Sequence, residues 1–504
     1  MISFLLSLIA LVLGYFVYGK FVEKIVRPTS APTPAMNSTD GVDYVPLPGW
    51  KVFMIQFLNI AGTGPIFGAI MGAWYGPYAY LWIVLGCIFA GAVHDYLIGM
   101  MSVRSNGAGL PELVGQNLGS SSRTLLLLFS ILVLMMVGVV FVYSPAIILS
   151  NMMGAKLHWI IAIFIYYVIA TLLPIDKIIG RIYPLFAFSL IFMAVALMLF
   201  LFIHCPDLPE LWTAAHSMNS NATAEWLGVE SFKQGSPLFP CMFITIACGA
   251  LSGFHATQSP LMARCIASEK HGRRIFYGAM ITEGLVALVW ATVSMYFFYY
   301  GGWQQVCAPE VVSDFINQFP GGKTLIQYFD APAVVKYVCE GWLGLFGGIL
   351  AILGVVAAPI TSGDTAFRSA RLIIADFLHL GQKKVYNRLV ICIPMFAAAI
   401  LLLIWQMEQP NGFNILWQYF GWANQTLAVF ALWTASVYLS KRQSNYYITL
   451  LPAVFMTMVT LSFFFVSKQA MGLPQILSYS LAGVITLLAC VRFFQWQCNY
   501  KRQS

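Results

Sequence analysis

The sequence predicts an all-α polytopic membrane protein of about thirteen transmembrane helices. Three observations carry that prediction. The chain has 504 residues, of which 60% are hydrophobic and only 9% charged, whereas a soluble domain carries about 25% charged residues. Its apolar residues fall into runs of roughly 17–30, each long enough to cross a hydrocarbon core of about 30 Å. The runs lack the alternating pattern of a membrane barrel. With the N-terminus outside and the helices alternating, 22 of the 27 Lys and Arg residues fall inside; Lys156, Lys233, Lys323, Lys336 and Lys468 fall outside. Such a bias sets membrane orientation. The net charge of +8 is therefore a record of topology and no sign of a nucleic-acid partner.

The expected spans are 2–22, 50–75, 77–102, 122–150, 158–173, 181–203, 238–263, 273–300, 342–366, 387–405, 412–440, 445–467 and 474–496. No basic residue precedes the first and no small-residue cleavage site closes it, so it reads as a retained helix, not a signal peptide. Residues 1–27 thus form one helix, and 28–49, rich in Pro, Ser and Thr, a cytoplasmic, poorly ordered linker. The outside loops 204–237 and 301–341 are longer and net acidic, with Trp212, Trp226 and Trp303 suited to the interfacial belt. Ten cysteines show no CxxC or Cys/His metal spacing. Cys307 and Cys339 share the second long outside loop, which leaves a disulfide open. The C-terminus falls in the cytoplasm, after two last helices in 441–504.

Between these ends the chain carries a hidden repeat. Ten spans run from 50 to 440, and the first and sixth are interrupted by glycine and proline in mid-span. The first reads NIAGTGPIFGAIMGAWYG, residues 59–76, with five glycines and a proline. The sixth reads FITIACGALSGFHATQSPLMARC, with Gly249, Gly253 and Pro260 as its interruptions. Two blocks of five spans must start on opposite sides of the membrane, so 50–203 and 238–440 form an inverted repeat. Paired interrupted spans in such a repeat point to a transporter site at the midplane.

A break in lipid leaves backbone groups unpaired near the membrane centre, which is tolerable only against a polar cavity or protein. Pro65 suits the first turn of a new helix because its missing N–H is not needed there. Gly62, Thr63, Gly64 and Pro65 then present a positive helix end to a carboxylate. Asn59–Ala61 ends the first half with free carbonyls suited to a cation. The competing reading is a glycine seam for close helix packing; two breaks in matched positions favour the cavity.

The run GTGPIFGAIMGAWYGPYAYLWIVLGCIFAGAVHDYL, followed by RSNGAGLPELV, resembles the carbon-starvation protein A family. So do ITIACGALSGFHATQSP, DTAFRSARLIIADFL and GWANQTLA. The resemblance covers most of 50–440 in order. It implies a leucine-transporter-like five-plus-five fold with one extra helix before it and two after. It implies peptide uptake across the bacterial inner membrane during carbon starvation, although close relatives within the family are pyruvate symporters. Larger members carry extra C-terminal helices, so this chain is a compact version.

Ionisable groups inside spans are functional candidates. Glu283 lies nine residues past Arg274, about 14 Å into the bilayer at 1.5 Å per residue. It is the first candidate for proton coupling; a helix–helix hydrogen bond is the alternative. His94 and Asp95 read as an inner polar cluster, with Asp95 a coupling candidate. His255 stands in the second break with Ser252, Gly253 and Gln258, all substrate-binding candidates, as is Asn424. Asp364 and Arg368 are spaced to pair along a helix, and the resemblance makes Asp364 a coupling candidate too. It also places Thr361 and Ser362 where hydroxyls of the leucine-transporter fold join carbonyls near Ala61 to hold sodium; oxygen ligands suit a hard cation. Back-bonding to their own helix is the alternative.

No HExxH, GxSxG or Walker motif occurs, so the reading is secondary transport by a non-enzyme, with a proton or sodium as coupling ion and no cofactor. A membrane nutrient sensor is the reading from another class. Short peptides and pyruvate both offer a carboxylate to the first break; only a peptide adds an ammonium.

Overall fold

Apolar side chains let a helix enter lipid, and a closed backbone ladder lets it stay there. The chain obeys both conditions. The computed structural model describes residues 1–173, 179–212, 238–318, 325–409 and 412–503. Among them no strand forms; a single parallel bridge joins Leu47 to Ile266. Eight helices are long and apolar enough to cross a membrane, and the bent pair Gly49–Ile60 and Gly64–Tyr75 makes up to nine. Three further expected spans are helical: Lys156–Leu172 is short, Ala331–Phe377 turns at Gly344, and Gly412–Lys441 is continuous; 238–263 is helical only in part.

Burial sorts the helices into centre and rim. The apolar windows of Tyr78–Arg104 and Glu269–Phe298 are 83% buried, against 33% for Ile2–Val26 and 22% for Gln475–Arg502. The first helix turns Leu6, Ile9, Leu13 and Val17 outward and packs Phe4, Leu11 and Val22 inward. The two broken helices lie in the buried centre.

Three expectations change. The segment 28–49 is not a loose linker: it is held against the residues that follow the second broken helix. Thr33 Oγ1 donates to the Ile266 carbonyl, Leu47 N donates to the Cys265 carbonyl, and Asp43 is 2% exposed. Its many Pro and Ser/Thr residues serve an extended path fixed by hydrogen bonds. The loop 301–341 folds into the short helices Gly302–Val306, Pro309–Gln318 and Leu325–Tyr328. There Trp303 is buried against Phe315 and Phe329 instead of lying in a membrane belt. Cys307 and Cys339 are both buried free thiols. Trp212 is exposed; Trp226, Lys177, Lys233 and Lys323 lie outside the described residues.

Candidate functional site

The first break spans Ala61–Thr63, and the chain bends there by 56°. Thr63 stands just before the second half, whose first turn carries Pro65 as expected, and its carbonyl accepts from Ile66 N and Phe67 N. Asn59 Oδ1, Asn59 Nδ2 and Thr63 Oγ1 are fully buried without a hydrogen-bond partner. Buried polar groups in proteins are nearly always paired, and here three unpaired atoms gather at one bend. Phe141 closes it: a Cβ on Gly62 would stand 2.8 Å from its ring.

The packing seam is present too. Beyond the bend, Gly64, Gly68 and Gly72 recur every four residues and face 245–248. A Cβ would come within 2.3 Å of Cys248 Sγ at Gly64 and within 2.9 Å of the Thr245 carbonyl at Gly68. One glycine row therefore serves both readings. Gly62 and Thr63 make the bend, and the rest lets the two broken helices touch.

The second break is longer. Phe243–Thr245 ends early, and helix resumes only at Phe254–Ala263. Gly249 has φ +87°, a conformation that favours glycine. Pro260 is not part of the break; it lies inside the second half. Asn424 Oδ1 accepts from Phe254 N at 2.6 Å and from Ser252 Oγ at 3.1 Å. Asn424 thus caps the resumed helix, and Gly253 packs against its carbonyl. Gln258 donates to Thr257 Oγ1, while its Oε1 is buried and unpartnered.

Glu283 runs beneath this break. Its Oε1 accepts from Gly249 N at 3.1 Å, and its Oε2 lies 3.4 Å from His255 Nε2. His255 Nδ1 meets Asp95 Oδ2 at 3.0 Å, and Asp95 Oδ1 meets His94 Nδ1 at 2.7 Å. All four side chains are fully buried. The structure thus joins four residues the sequence scattered over three spans, and moves His94 and Asp95 from an inner rim cluster to the centre.

The other candidates divide. Ser362 Oγ donates to the Leu58 carbonyl at 2.9 Å, so it reaches the end of the first half-helix, close to Ala61. Thr361 Oγ1 bonds back to Ala357 and Ala358 of its own helix. Asp364 does not pair with Arg368 despite their spacing: Tyr183 donates to Asp364 Oδ2 at 2.7 Å, and Arg368 reaches Asp43 at 3.2 Å. Tyr183 and Asp43 escaped the sequence reading. A tyrosine in an apolar span and an acid in a polar segment are both commonplace, so neither carried a signal.

Among the described residues, Cys248, His255 and Glu283 are the donors that gather within 4.8 Å of one another. A thiol and an imidazole do not make the all-oxygen cage of a hard cation such as sodium.

A multi-pass helical membrane protein with two broken helices meeting in its buried core is, by class, a membrane transporter. The chain belongs to the carbon starvation protein CstA family, whose model matches residues 1–151, 142–333 and 331–463. It is 45% identical to an uncharacterised membrane protein of Haemophilus influenzae over 59% of this chain and 91% of that one. It is 27% identical to the peptide transporter CstA of Escherichia coli, over 89% of this chain and 78% of that one. With the pyruvate/proton symporter BtsT of Escherichia coli it shares 26% identity over the same shares, 89% and 78%. Crystal structures of the Eremococcus coleocola manganese transporter match its fold at TM-score 0.54 and 12% identity, over 92% of this chain and 99% of that one. These comparisons place the chain among transporters of small molecules, not enzymes.

Proposed function

We propose that the protein is a secondary active importer of the bacterial inner membrane, coupled to protons, that takes up short peptides during carbon starvation. On this reading 50–203 and 238–440 are the two inverted repeats of a thirteen-helix transporter. The substrate carboxylate meets the first break at Gly62–Pro65, beside Asn59 and Thr63. Ser252, Gly253, Gln258 and Asn424 shape the opposite wall.

One observation carries the coupling: the chain His94–Asp95–His255–Glu283 ends on the backbone of the second break at Gly249. Four titratable groups in contact share protons as a unit. Movement of the broken helix changes the hydrogen bond at Gly249 and so the protons the unit holds. Linkage then makes proton binding change substrate affinity equally. The sodium alternative keeps Ser362 near the first break but loses Thr361, whose hydroxyl is used within its helix. Asp364 stands apart, bonded to Tyr183, as a second coupling candidate.

Pyruvate is the second substrate reading, supported by the relative named a pyruvate/proton symporter. The test is uptake of labelled dipeptides and of labelled pyruvate into proteoliposomes under an imposed proton or sodium gradient. Peptide accumulation driven by protons is expected. Accumulation of pyruvate alone would replace the substrate, and no accumulation of either would favour a nutrient sensor.

A further inference from the structure

The second break gathers a thiol, an imidazole and a carboxylate. Cys248 stands on the irregular backbone between Thr245 and Phe254, and His255 in the first turn of Phe254–Ala263. Glu283 comes from the neighbouring helix Gly278–Phe298. The donor atoms of the three side chains lie within 4.8 Å of one another, and all three residues are buried. His255 Nε2 and Glu283 Oε2 stand 3.4 Å apart. Among the described residues neither atom has a hydrogen-bond partner.

That spacing is the one a tetrahedral metal ion imposes on its ligands. Zinc bonds to nitrogen and oxygen are about 2.0–2.2 Å long, and to sulfur about 2.3 Å. At a tetrahedral angle the nitrogen and oxygen ligands then stand about 3.3 Å apart, and the sulfur about 3.5 Å from either. Nε2 and Oε2 are already at that separation, and the thiol has to close by at most about 1.3 Å. The far side of each ligand is also held, as it is around bound metals. A carboxylate only accepts, so the contact of His255 Nδ1 with Asp95 Oδ2 at 3.0 Å puts a proton on Nδ1 and makes Nε2 the free end. Gly249 N donates to Glu283 Oε1 at 3.1 Å, which leaves Oε2 free. Cys248 Sγ lies 3.6 Å from Ser252 Oγ and 3.9 Å from Asn424 Nδ2. A direct hydrogen bond between Nε2 and Oε2 would use up both free atoms, and its geometry is not met.

We propose that Cys248, His255 and Glu283 form a binding site for a thiophilic divalent cation of the zinc class. A thiolate, an imidazole and a carboxylate suit zinc or cobalt, whereas magnesium, calcium and sodium take oxygen ligands. Three protein ligands leave the fourth position to water. Binding displaces the thiol proton and the proton between Nε2 and Oε2. Two protons leave for one divalent ion, so the charge of the buried cluster is unchanged. The ion ties residues on both sides of Gly249–Gly253 to a third point on Gly278–Phe298 and so fixes the second break in one conformation. The consequence, a block of transport, rests on the transport reading; the binding does not.

The test is a titration of the purified full chain in detergent with Co2+, followed by the absorbance of the cobalt–thiolate bond. Cys205→Ser and Cys498→Ser form the parent background, which removes the exposed thiols. One ion per chain is expected to give a charge-transfer band in the parent, and Zn2+ to abolish it. Cys248→Ser keeps the size of the side chain and should lose the band. Cys392→Ser, at a buried thiol on another helix, should keep it. Asp95→Asn leaves all three ligands in place and should weaken cobalt binding by about 10–100-fold, as loss of an outer partner does. In proteoliposomes, Zn2+ should stop exchange of labelled dipeptide or pyruvate by the parent but not by Cys248→Ser, each measured against its own zinc-free rate. A parent chain without a thiolate band overturns the proposal, and so does a band undiminished in Cys248→Ser. Exchange by the parent that Zn2+ leaves untouched, with the band as expected, keeps the site and overturns the block. If neither substrate is exchanged, the transport reading fails while the cobalt titration still decides the site.

Discussion

Glu283 holds the Gly249 N–H with one carboxylate oxygen at 3.1 Å and faces His255 Nε2 with the other at 3.4 Å. A single side chain therefore joins the irregular backbone of the second broken helix to the buried pair His255–Asp95. It is at once the helix–helix hydrogen bond and the candidate proton carrier that the sequence offered as alternatives.

The proposed guest site at the first break predicts a change of opposite sign in stability and binding. Asn59 has both side-chain polar atoms buried and unpaired. Asn59→Leu removes them at nearly constant size, so the midpoint of thermal unfolding should hold or rise by the equivalent of about 1 kcal/mol. Substrate affinity, measured by binding to purified protein, should fall by about tenfold or more, about 1.4 kcal/mol. Unchanged affinity would place the substrate elsewhere.

The seam predicts that Gly64 is a packing residue as well as a neighbour of the site. An alanine Cβ there would stand 2.3 Å from Cys248 Sγ and 2.4 Å from its Cβ. Overpacking of this kind costs about 1–3 kcal/mol. Gly64→Ala should lower the unfolding midpoint, and adding Cys248→Gly should restore part of the loss. Equal stability of Gly64→Ala and wild type would remove the seam.

The 28–49 segment predicts an acid-sensitive contact. Burial pushes the Asp43 carboxyl up, but the Arg371 and Arg368 guanidinium groups outweigh it and hold the group below the usual carboxylate range. A lowered folded value means that the stabilisation is complete above the unfolded value of about 3.9 and is lost as pH falls through the folded one. Asp43→Asn should lower stability at neutral pH and show less further loss than wild type below about pH 4. Parallel pH profiles would contradict the contact.

Orientation is open to direct labelling. In a cysteine-free background, Ser313→Cys on an exposed helix of the 301–341 segment should react in whole cells with an impermeant thiol reagent. Lys383→Cys, exposed between two helices, should not. The reverse pattern would invert the proposed topology.

Much of this was legible because lipid imposes simple rules on composition. Apolar runs located the helices, and Gly62, Thr63 and Pro65 located the first bend, because only a few residue types permit one. The second break was placed less well. Pro260 drew attention, yet a proline can be absorbed within a helix, and the interruption is centred on Gly249. Glu283, His255 and Asp95 were each legible as costly residues, but their contact was not, since nothing in spacing brings spans 77–102, 238–263 and 273–300 together. Arg368 misled in the other direction: its spacing from Asp364 suggested a pair, while tertiary contacts gave each a different partner. Asp43 was invisible because Pro- and Ser/Thr-rich composition reads as disorder, whereas here buried hydrogen bonds fix the path.

The central claim is that protons on the Glu283–His255–Asp95 unit drive transport. Glu283→Gln fixes the neutral form. The measurement is uptake of labelled substrate by proteoliposomes carrying this variant, under an imposed proton gradient and in gradient-free exchange, between about pH 5 and 8. The account predicts that exchange persists, that accumulation against a gradient is lost, and that substrate affinity no longer varies with pH. Accumulation at the wild-type level with the wild-type pH profile would contradict it and leave Glu283 a bond between helices.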